Sequence, residues 1–156
     1  MPLHIVLYQP EIPPNTGNIA RTCVATDVEL HLIHPLGFDI STKTARRAGM
    51  DYWEHAVVHE YQSLQELLSA HPLATFYLIE TGGNKVHSDA DLSDANEDIF
   101  FVFGSESKGL PKEFLNAHTD KILTIPMGSK VRSLNLSNTA AILIYEALRQ
   151  QNYINI

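Results

Sequence analysis

Three stretches of the chain carry more hydrogen-bonding chemistry than their surroundings explain. The first is PEIPPNTGNIARTC, where Asn15 and Arg21 follow two prolines and Gly17 allows close backbone approach. Asn15 or Thr16 could cap a following helix, and Arg21 could face the same end of a sheet as Asn15. The second is FVFGSESKGLP, in which Ser105, Glu106, Ser107 and Lys108 sit between Gly104 and Gly109. Glycines on both sides of a polar tetrad suit a loop that contacts a ligand through its backbone. The third is IPMGSKVRSLNLSNTAAI, where Arg132, Ser133 and Asn135 precede an apolar helical run. Ser137 or Asn138 could cap that helix, which leaves Ser133 and Asn135 without a structural task. Buried polar groups must be paired, so these two residues point to a ligand.

Each stretch also has a plain structural reading: a capped helix with a surface arginine, a tight turn before Pro111, and an elaborate helix start. Other chemistries fit worse. GSESKGL is not the phosphate loop GxxxxGK[ST], and GxGxxG, HExxH, CxxC and GxSxG motifs are absent. The eight histidines are scattered along the chain, and His31 and His34 would point to opposite faces of a strand. No metal is therefore expected.

The elements that must position these residues can be read from periodicity. Branched and aromatic runs predict strands at Leu3–Tyr8, Leu30–His34, Ala56–Val58, Thr75–Glu80, Ile99–Phe103 and Ile122–Ile125. Helical spacing predicts helices at Asn15–Thr26, Ser63–Ala70, Pro111–Ala117 and Asn138–Gln150. In the last of these, Ala141, Ile144, Tyr145 and Leu148 form the expected apolar stripe. Strands alternating with helices imply an α/β fold, a mostly parallel sheet with helices on both faces. IFFVF, apolar without alternation, reads as a central strand. In such folds ligands bind beyond the carboxyl ends of strands, which here means the loops after Glu80, Phe103 and Ile125.

The 156 residues suit one domain with a substantial core. A net charge of −7 argues against loose, non-specific nucleic-acid binding, but not against a local basic patch. TKTARRAGM supplies the densest cluster, Lys43, Arg46 and Arg47, which is either a solvated helix face or part of such a patch. Cys23 is the single cysteine, no apolar run reaches membrane-spanning length, and MPLHIVLYQP lacks signal-peptide features. These point to a cytoplasmic protein without a membrane anchor.

Taken together and in order, NTGNIAR, FGSESKGL and IPMGSKVRSLNLSNTAAI resemble the three motifs of the SPOUT superfamily of RNA methyltransferases, in its 2′-O-ribose branch. The resemblance covers essentially the whole chain. It is strongest to the minimal members, which carry one domain and act on the wobble nucleotide of leucine tRNAs. The resemblance implies a C-terminal deep trefoil knot, a homodimer, and S-adenosylmethionine as methyl donor. The substrate it implies is the ribose 2′-hydroxyl at position 34 in a tRNA anticodon stem-loop. Carried over by position, the cofactor pocket includes Leu78, the Glu80–Gly82 strand end, Gly104, Ile125, Met127, Ser133 and Leu134, with Leu78 and Ile125 as apolar walls. Asn15, Arg21, Glu106, Ser133 and Asn135 surround the reaction centre.

The resemblance assigns proton removal to Arg21. A guanidinium resists deprotonation, so holding a phosphate or stabilising the developing alkoxide is easier to defend. Lys43, Arg46, Arg47 and Arg132 would form an RNA-binding rim, and Tyr52 and Trp53 could stack on splayed bases. In this family the second motif usually has proline at the position of Ser105, a change expected to loosen the turn. The last helix would pair with Ile19–Thr26 across a dimer seam. Competing readings are methylation at another tRNA or rRNA position, the guanine-methylating branch, a flavodoxin-like phosphate-binding domain, or a non-catalytic RNA- or nucleotide-binding domain.

Overall fold

A computed structural model describes residues 3–40 and 52–156. Seven strands form one sheet: β1 (Leu3–Tyr8), β2 (Glu29–Ile33), β3 (Val58–Tyr61), β4 (Thr75–Ile79), β5 (Lys85–Val86), β6 (Ile99–Phe103) and β7 (Ile122–Thr124). Their order is β3-β2-β1-β6-β4-β7-β5, and every pairing is parallel. Among the described residues four α-helices flank it: α1 (Pro13–Thr26), α2 (Leu64–Ala70), α3 (Lys112–Ala117) and α4 (Leu136–Gln150). The α/β reading with helices on both faces is thus what the chain adopts. The two-residue β5 had no periodicity to announce it. The predicted strand at Ala56–Val58 shifts to Val58–Tyr61, because a 3-10 turn occupies Trp53–His55 and register with β2 begins at Leu30↔Val58.

The alternation of side chains across each strand divides the core in two. Ile5, Leu7, Phe101 and Phe103 face α1 and α4, joining Ile19, Cys23, Leu143 and Ile144. Val6, Leu78, Phe100 and Val102 face the other way, against Leu64 and Leu67 of α2 and Phe114 and Leu115 of α3. All five residues of β6 are buried, as a strand covered on both sides requires. The buried stripe of α4 is Ala140, Leu143, Ile144, Ala147 and Leu148. Tyr145, expected within it, is 46% exposed because it lies one helical step off that stripe. Ala141, placed in the stripe for the same reason, is only partly buried.

The helix ends are fixed by different means. In α2, Ser63 accepts from the Glu66 amide while Glu66 accepts from the Gln62 amide, a reciprocal cap. Asn135 caps α4, accepting from the Ser137 amide at 2.9 Å, in place of the expected Ser137 or Asn138. At the far end of α4, the Gln151 side-chain amide donates to the Leu92 carbonyl and Gln150 accepts from the Leu92 amide.

Parallel register also gathers histidines that are far apart in sequence. His4 pairs with Glu29, and His31 with His59, so all four side chains project from one face of the sheet. Burial holds His31 down to about 2, reinforced by repulsion from His4, His59 and His71, so its ring is neutral. His34, by contrast, points away and pairs with Glu60 at 2.7 Å, as its odd spacing from His31 predicts.

The α1–α4 layer tests the packing. Ile144 is fully buried between these helices and the sheet. Ile144→Ala should destabilise the protein by about 2–5 kcal/mol through lost burial and the residual cavity, measured by urea unfolding with unchanged far-UV dichroism.

Candidate functional site

A cleft of about 540 Å³ opens where the carboxyl ends of β4, β6 and β7 meet the amino ends of α1 and α4. That volume lies in the range of small-molecule sites. Ile79, Phe103 and Ile125 provide apolar lining, and Glu80, Thr81 and the loop from Gly104 to Gly109 provide polar groups. Asn15 enters from α1, and Ser133, Leu134, Asn135 and Thr139 enter from the segment leading into α4. All three polar stretches of the sequence therefore converge on one cavity.

A hydrogen-bonded chain joins them. Asn135 donates from Nδ2 to Oδ1 of Asn15 at 3.1 Å, and Asn15 donates from Nδ2 to Oε1 of Glu106 at 3.5 Å. The same carboxylate accepts the backbone amides of Glu11 at 2.8 Å and Ile12 at 3.2 Å. The exchange is mutual, since Glu11 accepts from both the amide and the hydroxyl of Ser107, at 3.1 and 2.7 Å. Those two donors, with smaller help from Lys108, hold the Glu11 carboxyl below its ordinary range.

This arrangement changes several expected roles. α1 begins at Pro13, with Ile12 at the cap position and no side-chain cap of its own. Prolines suit the first helical turn because its amides have no helical partner. Glu106 therefore completes the start of α1 from a distant loop, in place of Asn15 or Thr16. Asn15 is free to bridge to Asn135. Asn135 has both tasks, capping α4 through Oδ1 and reaching Asn15 through Nδ2.

The loop after β6 is tight. A side chain at Gly104 would place Cβ 2.2 Å from the Gly109 carbonyl carbon and 2.4 Å from the Leu110 amide nitrogen. Ser105 does not loosen this turn: it is buried, its hydroxyl accepts from the Lys108 amide at 3.3 Å, and its carbonyl accepts from Gly109 at 2.9 Å. Gly109 has φ +69°, a conformation that favours glycine.

Of the residues expected around a cofactor, Gly104, Ile125, Met127, Ser133 and Leu134 line the cleft. Leu78 does not. Its side chain lies on the opposite face of β4, packed with Val6 and Leu67, and Ile79 forms the wall instead. A period of two decides this: neighbouring residues on a strand face opposite ways. Arg21 also lies outside the lining. Six residues make about one and two-thirds helical turns, so Arg21 leaves α1 on a different side from Asn15 and stacks over the Tyr52 ring at 5.0 Å. Arg132 is exposed beside the cleft, and Trp53 is buried in the core. Lys43, Arg46 and Arg47 lie outside the described residues.

Glu80 and Lys108 supply the free charges in the lining; the third charged side chain there, Glu106, is committed to α1. Burial pushes the Glu80 carboxyl above its ordinary range, opposed by backbone hydrogen bonds from Thr81 and Leu110. Its position at the end of β4 was legible, but not that its side chain turns into the cavity.

Comparison with known proteins places this geometry. The profile of the SpoU rRNA Methylase family matches residues 2–145. A protein of Bacillus subtilis (strain 168), provisionally named tRNA (cytidine(34)-2'-O)-methyltransferase, is 58% identical over 151 residues, covering 97% of this chain and 94% of its own. The crystal structure of a provisionally assigned RNA methyltransferase from Bacillus anthracis superposes with a TM-score of 0.96 at 54% identity, over 99% of this chain and 97% of that one. A further solved structure, from work on 2-OH methylation of C/U34 on tRNA, gives 0.86 at 42% identity, with 97% of each chain covered.

Two measurements probe the cleft. Gly104→Ala must displace backbone at 109–110 and should cost about 1–3 kcal/mol in chemical unfolding. Glu80→Gln should do the opposite at neutral pH. A carboxyl raised by burial is tolerated while protonated and costs stability as pH rises through its folded value. The variant should therefore match the wild type near pH 4 and exceed it at pH 7.5 in urea midpoint.

Proposed function

We propose that this chain, which belongs to the SpoU rRNA Methylase family, transfers a methyl group from S-adenosylmethionine to the ribose 2′-hydroxyl of the wobble nucleotide, position 34, of a tRNA. The observation that carries the reading is the convergence of all three polar stretches on one cleft, held by the Glu106–Asn15–Asn135 chain. The named activity of the 58%-identical relative supports it. Leucine tRNAs are the substrates that the sequence resemblance favours. No helix among the described residues is long and apolar enough to cross a membrane.

The lining fits the donor. Ile79, Phe103 and Ile125 offer an apolar wall to an adenine, and the bare backbone at Gly104 and Gly109 lets a ligand approach closely. Bound there, S-adenosylmethionine supplies an electrophilic methyl on a sulfonium. Glu80 places negative charge in a cleft that would receive a cation. Ser133, on the rim, can donate to the ribose, and Asn15 and Asn135 keep the walls at fixed separation. Much of the rate gain in a transfer of this kind comes from positioning the two reactants.

Arg21 is the chain's best candidate for holding a substrate phosphate or stabilising the developing alkoxide. Its place off the cleft of its own chain fits a homodimer in which each cleft receives the other copy's Arg21. The knot of the C-terminal segment, the single-domain organisation, and the basic rim of Lys43, Arg46, Arg47 and Arg132 belong to the same proposal.

Nucleoside mass spectrometry after incubation with tRNA and S-adenosylmethionine tests it. The expected product is one 2′-O-methyl at position 34, and Arg21→Ala should reduce its rate by about a hundredfold or more. Mixing Arg21→Ala chains with Ser133→Ala chains should restore part of the activity, because one composite site per dimer is then intact. Methylation elsewhere, or none, would sink the reading. Failure of the mixture alone would sink the sharing of sites between subunits.

A further inference from the structure

On the sheet face away from the cleft, β1 and β2 bring together two buried histidines and a carboxylate. His4 Nδ1 lies 3.0 Å from His31 Nε2 and 3.7 Å from Glu29 Oε2, and among the described residues these three are the group whose ligand atoms all fall within 4.8 Å of one another. We propose that His4, His31 and Glu29 form a binding site for a divalent transition-metal ion of the zinc type.

The spacing is the first argument. Metal bonds of about 2.0–2.2 Å set tetrahedral ligand atoms about 3.3–3.6 Å apart. The two measured separations bracket that value. At 3.7 Å, Glu29 is too distant to hydrogen-bond His4, but it is well placed to share an ion with it. A donor set of two imidazoles and one carboxylate suits zinc, cobalt or nickel over calcium or magnesium.

Orientation is the second argument. His4 Nε2 faces Asp98 Oδ1 at 3.2 Å, which assigns the ring proton to Nε2 and leaves Nδ1 bare toward the cluster. Glu29 is steadied by His59 Nε2 at 2.9 Å. Carboxylates and imidazoles that aim ligands in this way are the usual outer layer of a metal site. Phe100 stacks on the His4 ring at 4.1 Å between centroids, fixing its plane. Rigid strands supply all three ligands, so little ordering is needed on binding.

Access and role follow from position. His4 and His31 are buried, while Glu29 and His59 are partly exposed, so an ion can enter from the β3 side. His4 stands four residues before the end of β1, about 13 Å along the strand from its carboxyl end at roughly 3.3 Å per residue, and no β1 residue lines the cleft. An ion there would clamp β1 to β2 and take no part in methyl transfer.

Cobalt(II) titration of chelator-treated full-length protein tests this, read by visible ligand-field absorption and by calorimetric melting. The expected result is one ion per chain and a melting midpoint raised by several degrees. Glu29→Gln, partly exposed and tolerant of change, should weaken binding at least tenfold with the dichroism spectrum intact, and His31→Gln should do the same. His118→Gln, which alters a histidine whose ring bonds the Phe114 carbonyl away from the cluster, should bind like the wild type. No absorption change at millimolar cobalt, or wild-type binding by Glu29→Gln, would overturn the site and leave the cluster as hydrogen bonding alone.

Discussion

The carboxylate of Glu106 is the constraint on which the site depends. It accepts two backbone amides at the start of α1 and the side chain of Asn15. Charge-assisted acceptors of this kind are stronger than neutral ones, and here one carboxylate is the acceptor that no local side chain provides at the start of α1. Through Asn15 the restraint passes to Asn135, and through Asn135 to the first turn of α4. The start of α1, the loop after β6 and the approach to α4 are thus tied to one another by polar bonds. The apolar core fixes the helices lower down; this chain of bonds fixes the rim of the cleft.

That division explains why the cleft can be both rigid and polar. Asn15 is buried, and burial would penalise it without partners. Asn135 and Glu106 supply them. The loop between Gly104 and Gly109 is rigid for a different reason, since backbone lies against backbone with no room for a side chain at position 104. Glu80 is the exception, a carboxylate raised by burial and left facing the cavity. Backbone hydrogen bonds from Thr81 and Leu110 oppose that shift and fix the carboxyl in place.

Much of this was legible in the sequence. The strands at Leu3–Tyr8 and Ile99–Phe103 were bounded correctly, because unbroken apolar runs between polar punctuation leave little choice. The three polar stretches were recognisable, and their convergence followed from the rule that parallel sheets bind ligands at their carboxyl ends. What failed was orientation. Leu78 and Ile79 differ by one residue and face opposite layers, and chain position alone does not say which faces the cleft. Arg21 could share an end of the sheet with Asn15 by chain distance, but the helical angle turns it away toward Tyr52. The histidines looked scattered because parallel register, which brings His31 beside His4, pairs residues with no local signature.

The long reach of Glu106 has a consequence for biosynthesis. The amides it secures belong to residues 94 and 95 positions earlier, and β1 takes its central place only when β6 pairs with it at Leu3↔Ile99. At about 5–20 residues per second, the ribosome delivers the second partner roughly 5–20 s after the first. For that interval the first helix emerges with an unfinished end and the first strand lacks a neighbour on one side. The cleft is therefore among the last features to exist in a newly made molecule.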